Sequence, residues 1–483
     1  MGKNQIWLYA FLVVTYCTLV FAQSKKSDVE ERIDRVCAGL EHTVTIQALP
    51  EGDMTLSARM HFYRVPGVSV AVIHNGKLDW ARGFGEAYVG GSKVTPQTRF
   101  QAASMTKPVT AVGALRLVKE GKLKLDEDVN TYLKAWKVPE NTFTAQKKVS
   151  LRELLNHTAG MNVHGFPGFR VGEPMPNVVE ILNGSPPANT PAIRVEAIPG
   201  TRWSYSGGGY VVVQRLVSDV TGMEFAKFMQ DAVLRPLRMT RSTFGASNMS
   251  SGNAEYAMPY DTNGQPLAGG PRVIPDGPGG LWTTPTDMAS FLIEIQKELN
   301  EKSERILSAA IVKDMLTPGL GHQGLGFLIE GNAGHLFFSH EGNNPGYQSK
   351  FVASFDGQDG AVVMTNGDRG WQLMNEILRS IAREYGWTEY RSIKRNVIRV
   401  EPSTLDRLIG TYGGYLIISK NGDKLMGEIP GGVQKAELYP ESPSRYFFRD
   451  TAIEIHFDMS GGGNATAVEF ITPMVHNTLK KTR

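Results

Sequence analysis

Cysteine is nearly missing from this chain: Cys17 and Cys37 are the only two. Cys17 lies in the apolar N-terminal run, so removal of that run leaves one thiol, which excludes an intrachain disulfide and any cysteine-based metal site. An excess of one charge sign is missing too. Lys and Arg number 51 against 48 Asp and Glu, a formal net charge of +3, and Lys3 is the only charge within residues 1–22, so +3 becomes +2 without them. Such a balance gives no electrostatic footprint for nucleic acid, and that class of partner is set aside. Beyond the N-terminus no apolar run is long enough to cross a bilayer. Internal repeats and low-complexity stretches are also lacking, which argues against a solenoid or a disordered linker protein.

What is present is ordinary globular material: 483 residues, 41% hydrophobic and 20% charged. That length allows two or three domains with substantial cores. Residues 1–22 read as a secretory signal, with Lys3 as the positive end, "IWLYAFLVVTYCTLVFA" as the apolar segment, and Val20 and Ala22 before a cut at Gln23. The alternative is a retained N-terminal anchor. The bulky Tyr16 before Cys17 speaks against lipidation. A secreted or periplasmic product with no remaining membrane span is expected.

From Val65 onward, "GVSVAVI" and "KLDWARGFGEAYV" flank His74-Asn75-Gly76, the strongest short signal for a hairpin. In "FQAASMTKPVTAVGALRLVKEG", Val109, Val112, Leu115, Leu117 and Val118 recur at helical spacing up to Gly121. Helices separated by Gly- and Pro-rich loops are expected from Leu125 to Leu316. Strands return at "GLGFLIEG", "HLFFSHEG", "QSKFVASF" and "GAVVMTNG", and "WQLMNEILRSIAREYG" reads as a closing helix. One antiparallel sheet drawn from both ends of this unit, beside a helical region, follows. Residues 396–483 carry only short strand signals cut by turns, and a separate all-β domain without helices is expected there. The domain reading is therefore signal 1–22, main unit 23–395 and β unit 396–483.

Ser104 and Lys107 stand three apart at the head of the helical stretch. Positions so spaced share a helix face, so the lysine amine can reach the hydroxyl and take its proton. The N-terminal position also offers free N–H groups to a developing oxyanion. No other serine in the chain is followed by lysine at that spacing. In "WSYSGGGYVVVQRL", Tyr205 precedes a glycine run that lets backbone approach a ligand; it can serve as a general acid or base, or simply pack as a loop aromatic beside Trp203. In "FFSHEGNNPGYQSKF", His340 and Gly342 end a strand where a ligand can approach. His157 in "LLNHTAGM" reads as a structural hydrogen-bonder at a helix end. His164, His322 and His335 have no metal-ligand spacing. Asp126 and Asp128 read as turn residues, and Lys297 to Arg305 as an exposed charged face.

The order Ser-x-x-Lys, Tyr-x-x, His-x-Gly resembles the serine β-lactamase and penicillin-binding-protein superfamily, and more narrowly the class C β-lactamase-related serine hydrolases. "LLNHTAGM", "PGTRWSYSGGGY", "PLRMTRSTF" and "GPGGLWTTPTDMASF" resemble stretches of the same family, over about Val65 to Trp387. The resemblance implies an α+β fold, an antiparallel sheet flanked by helices plus a helical region, with the β unit similar to small appended barrel-like domains. It implies acyl transfer: Ser104 the nucleophile, Lys107 its activator, Tyr205 a proton relay, and the N–H groups of Ser104 and Asn343 an oxyanion hole beside His340 and Gly342. No metal or organic cofactor is implied.

Two positions depart from the pattern. His340 stands where these enzymes usually carry lysine, which suggests a cation only partly charged near neutral pH. Gly207 stands where Tyr-x-Asn places an amide-holding side chain. Both departures tilt the expectation toward an esterase, or a hydrolase of another small acyl compound. The alternatives are a β-lactamase or D-amino-acid (DD-type) peptidase and, from another class, a non-catalytic peptide- or glycan-binding protein. Either enzyme reading requires Lys107 and Tyr205 within hydrogen-bond reach of the Ser104 hydroxyl, with His340 facing the same cavity. A small-molecule ester, amide or peptide is the expected partner. Oligomeric state and the role of the β unit are not specified by the sequence.

Overall fold

Asn75 and Gly76 both adopt positive φ, 53° and 68°, the two-residue turn whose twist matches a hairpin. They join β1 (Gly67–His74) to β2 (Lys77–Gly85). The structure is a computed structural model. It describes residues 27–483 apart from 48, 246–254, 333, 431–434 and 473–475; the expected signal segment lies outside the described residues. β3 (Leu328–Asn332), β4 (His335–Asn344), β5 (Tyr347–Ser354) and β6 (Gly360–Thr365) complete one sheet with β1 and β2 in the order β2-β1-β6-β5-β4-β3. Every pairing is antiparallel.

The sheet is covered on both faces, which is why β1 shows no polar alternation. Val68, Val70 and Val72 enter one core with α1 (Asp28–Ala38), α2 (Leu56–Tyr63) and α7 (Gly370–Glu384). Ala71 and Ile73 enter the other core. That core also includes side chains of α3 (Thr106–Lys119), α4 (Leu151–Leu155), α5 (Gly207–Thr221) and α6 (Pro285–Leu299). A strand with both faces covered must be apolar at successive positions. α3 is buried on nearly every side for the same reason, exposing mainly its C-terminal Arg116 and Lys119.

Two details depart from the sequence reading. The run Lys297–Arg305 is not uniformly exposed: Glu298 is fully buried. It accepts the N–H groups of Ile306 and Leu307 at 2.6 and 2.9 Å, which compensates for its loss of water. The C-terminal unit also contains a helix, α8 (Pro402–Leu408). Two turns starting on proline leave too few residues for a helical period to be seen.

After α8, eight strands from Gly410–Tyr412 to His476–Lys480 pair in sequential antiparallel order. Tyr412 bridges Lys481, and Thr411 exchanges backbone bonds with Arg483 and Thr482, so the first strand meets the last and the sheet closes into a barrel. Tyr412, Leu416, Ile418, Phe448, Ile455 and Val468 are among the side chains that fill the interior, with Leu405 and Leu408 of α8 packed against them. The barrel rests on the main unit through Phe447, which packs on Val44 and Ile46, and through the His42–Asp450 pair. The parallel pair of Val44–Ile46 with Ile393–Arg395 ties down the connecting segment.

Candidate active site

The segment Phe100–Gln101 pairs with Trp282–Thr283, and the Ala102 N–H donates to Leu281 O at 2.9 Å, fixing the chain just before Ser104. Ala103 follows with φ of 50°, a left-handed conformation that a non-glycine residue adopts only when its surroundings impose it. Ser104 then stands in a 3-10 turn, Ala103–Met105, immediately before α3 rather than within it. Pro108 accounts for this start. It has no N–H to offer the Ser104 carbonyl, but sits without cost in the first turn of a helix beginning at Thr106.

Lys107 is 2% exposed. Its Nζ donates to Ser104 Oγ and to Pro278 O, each at 2.9 Å, and lies 4.9 Å from the Tyr205 ring centre and 5.6 Å from that of Tyr210. From 101 positions further along the chain, the Tyr205 hydroxyl donates to Ser104 Oγ at 2.8 Å. One hydroxyl oxygen thus receives both an amine and a phenol. Ser206, next after Tyr205, caps α5 by accepting from the Gly209 N–H at 3.0 Å.

β4 forms the opposite wall. A Cβ on Gly342 would lie 2.2 Å from Ala102 O and 2.3 Å from Ser349 Oγ, so only glycine lets the strand approach the Ser104 turn this closely. Asn343, one residue on, lines the same cavity. His340 faces it as well, with its ring centre 6.5 Å from that of Tyr205. The His340 Nδ1 proton goes to Glu341 O at 2.7 Å. Burial first, and the neighbouring Lys107 amine second, push its pKa down to about 4. The expectation of a partly charged His340 is therefore corrected: near neutral pH it is an uncharged imidazole, because its ring is buried beside the Lys107 amine. On the other face of β4, Glu341 pairs with the buried Lys350 at 2.7 Å and accepts from the Trp371 indole at 3.3 Å.

Together these residues enclose a cavity of about 710 Å³, bounded further by Phe166, Trp203 and Ile274. Its size suits a small organic substrate. Among the described residues none beyond Trp371 lines it, so the barrel does not border this cavity. A larger groove of about 970 Å³, near Met60, Arg64, Phe84 and Lys93, includes Cys37 and His61 in its lining, but burial foremost pushes the Cys37 thiol up to about 12, so it is not a thiolate near neutral pH. His42, Glu376 and Asp450 approach one another closely enough to suggest a cation. Glu376, however, is already held by Arg59 at 2.6 and 2.9 Å and by Tyr63 at 2.7 Å, so the cluster reads as an ion-pair network.

The sequence reading passed over two contributors. Pro278 supplies the second acceptor for Lys107. Phe166 lies against Gly207, where an added Cβ would sit 3.0 Å from its ring. The glycine-rich "GPGG" preceding Leu281 was the only local hint of the first, and the second depends on a loop whose path no short pattern encodes. His157, read from the sequence as a structural hydrogen-bonder, also packs its ring 4.4 Å from that of Tyr205.

This site and fold place the chain among the serine hydrolases related to β-lactamases. It belongs to the Beta-lactamase family, whose model matches residues 53–383. It is 27% identical over 377 residues to "Protein flp" of Staphylococcus aureus (strain N315), covering 73% of this chain and 71% of that protein. In structure it is similar to the octameric penicillin-binding protein homologue from Pyrococcus abyssi, with a TM-score of 0.61, 23% identity, and coverage of 88% of this chain and 98% of that one. It is also similar to the D-amino acid amidase from Ochrobactrum anthropi SV3, with a TM-score of 0.55, 21% identity, and coverage of 74% and 99%.

Proposed function

We propose that this is a secreted or periplasmic hydrolase that cleaves a small ester or amide through an acyl-enzyme on Ser104, within a unit spanning residues 23–395. The observation that carries the reading is the convergence of Lys107 Nζ and Tyr205 OH on Ser104 Oγ at 2.9 and 2.8 Å. With its amine unprotonated, Lys107 takes the hydroxyl proton as Oγ forms a bond to the substrate carbonyl carbon. The N–H groups of Ser104 and Asn343 receive the negative oxygen. Collapse breaks the bond to the leaving group, which takes a proton through Tyr205. Water then attacks the acyl carbon, its proton passes back through the same groups, and Ser104 and the free acid are regenerated.

Two features favour an ester, or another compound without a carboxylate to anchor. His340 is neutral and, among the described residues, Lys107 is the one Lys or Arg lining the cavity, while Glu330 and Glu341 are acidic. Gly207 has no amide side chain, and Phe166 closes on the space where one would stand. A second reading, hydrolysis of a D-amino acid amide or peptide, is favoured by similarity to the amidase from Ochrobactrum anthropi.

The test is intact-mass spectrometry after exposure to a fluorophosphonate and, separately, to penicillin. A single fluorophosphonate adduct absent from Ser104→Ala is expected. Absence of any adduct from either reagent overturns the acyl-enzyme reading and leaves a binding protein. A stable penicillin adduct, or nitrocefin turnover exceeding that of short-chain p-nitrophenyl esters, overturns the ester preference.

A further inference from the structure

Tyr205 is gripped from both sides by one residue that touches neither Ser104 nor the cavity. The backbone carbonyl of His157 accepts the Ser204 N–H at 2.8 Å, and its ring Nδ1 accepts the Ser206 N–H at 3.2 Å. Between these two anchors the Tyr205 ring lies on the imidazole, 4.4 Å between centres with the planes tilted by 39°. The Tyr205 carbonyl is held separately by His164 Nδ1. The phenol's backbone is therefore fixed at residues 204, 205 and 206, and its ring is fixed from one face.

His157 carries two local costs for this. Its φ is 62°, a left-handed conformation that few residues other than glycine adopt. Accepting at Nδ1 puts the ring proton on Nε2, and that atom is buried with no protein acceptor among the described residues. Burial, then Lys107 and His340, hold the imidazole uncharged by lowering its proton affinity well below the usual range. A protonated ring could no longer accept from the Ser206 N–H. Local costs concentrated beside a reacting group point to function rather than to packing.

We propose that His157 is a positioning residue for Tyr205: as a neutral imidazole it holds the Ser204–Ser206 turn so that the phenol reaches Ser104. This rests on the role assigned to Tyr205 above. The test is a double-mutant cycle on the full chain, following p-nitrophenyl ester turnover and fluorophosphonate labelling of Ser104. His157→Gly accepts the left-handed backbone and deletes the acceptor; His157→Asn also accepts it and keeps an oxygen near Nδ1. Expected are a fall of about 100-fold in kcat for His157→Gly with KM little changed, about tenfold recovery in His157→Asn, and a His157 effect below about threefold once Tyr205→Phe is present. Should the glycine variant fail to fold, the asparagine variant completes the same cycle. Equal losses in wild-type and Tyr205→Phe backgrounds, with Tyr205→Phe itself impaired, overturn the positioning role alone. An unimpaired Tyr205→Phe overturns the Tyr205 assignment, and this proposal with it.

Discussion

The two folded regions both have apolar cores, but they differ in the polar groups buried with them. Inside the C-terminal barrel the core is made of residues such as Leu416, Ile418, Phe448, Ile455 and Val468, and the Tyr412 hydroxyl is satisfied by Leu408 O at 2.7 Å. The main unit buries Lys107, His157, His340 and Lys350 within or beside its cavity. Dry polar groups cost stability unless each finds a partner, so a fold keeps them where chemistry needs a charge or proton at a fixed place. The barrel carries no such load, and its interior serves packing. If the proposed acyl-enzyme chemistry holds, activity depends on the main unit and the barrel contributes through burial, a division that substitutions can break.

The largest expected effect is on chemistry in the main unit. Ser104→Ala or Lys107→Ala should lower kcat/KM for the best ester by about four orders of magnitude or more, with the melting temperature little changed. Residual turnover within tenfold of wild type would place the reaction elsewhere. Next comes Tyr205→Phe, which should cost roughly 10²- to 10³-fold in kcat, the usual worth of a positioned proton donor.

The third effect is on stability and depends on pH. The folded-state pKa of His340, about 4, lies below the usual histidine value near 6.5, so the unfolded chain binds the proton first as the solution is acidified. The contribution of neutral His340 is present above about pH 6.5 and is lost as pH falls toward 4, up to about 3 kcal/mol. His157 adds a loss of the same sign. Glu298, raised to about 7 by burial foremost, acts in the opposite direction, lowering stability as pH climbs from about 4.5 to 7. The difference between wild type and His340→Asn isolates the histidine: denaturant midpoints across pH 4–7 should show a flatter profile in the variant, and parallel profiles would contradict the neutral His340.

The smallest effect on activity should come from the barrel. Leu438, 1% exposed in its core, when cut to alanine should destabilise that unit by about 2–5 kcal/mol. Ester turnover at temperatures where the barrel remains folded should stay within about twofold. A larger loss would mean the barrel shapes the cavity at a distance.

Much of this division was legible in the residue order. Asn75-Gly76 announced the hairpin, the apolar period fixed α3, and the three-residue spacing of Ser104 and Lys107 was readable because an interaction within one helical turn is local. Other features left no pattern that a short stretch of sequence shows. Glu298 reads as one more member of a charged run until the chain returns with two N–H groups for it. α8 is too short to show a period. His340 has the same letters whether wet or dry, and its charge follows from what is packed around it.

By itself the sequence determined which groups are available: one Ser-x-x-Lys pair, a tyrosine before a glycine run, a His-x-Gly strand end, and the alternations that build sheet and barrel. Tertiary structure alone decided that Tyr205 reaches Ser104, that His340 is neutral, that Phe166 takes the space beside Gly207, and that the barrel stands away from the cavity. The physical reason is the range of the interactions. Periodicity, turns and capping act over a few residues and leave a pattern in the chain, whereas desolvation and side-chain convergence depend on segments far apart in the sequence and leave none.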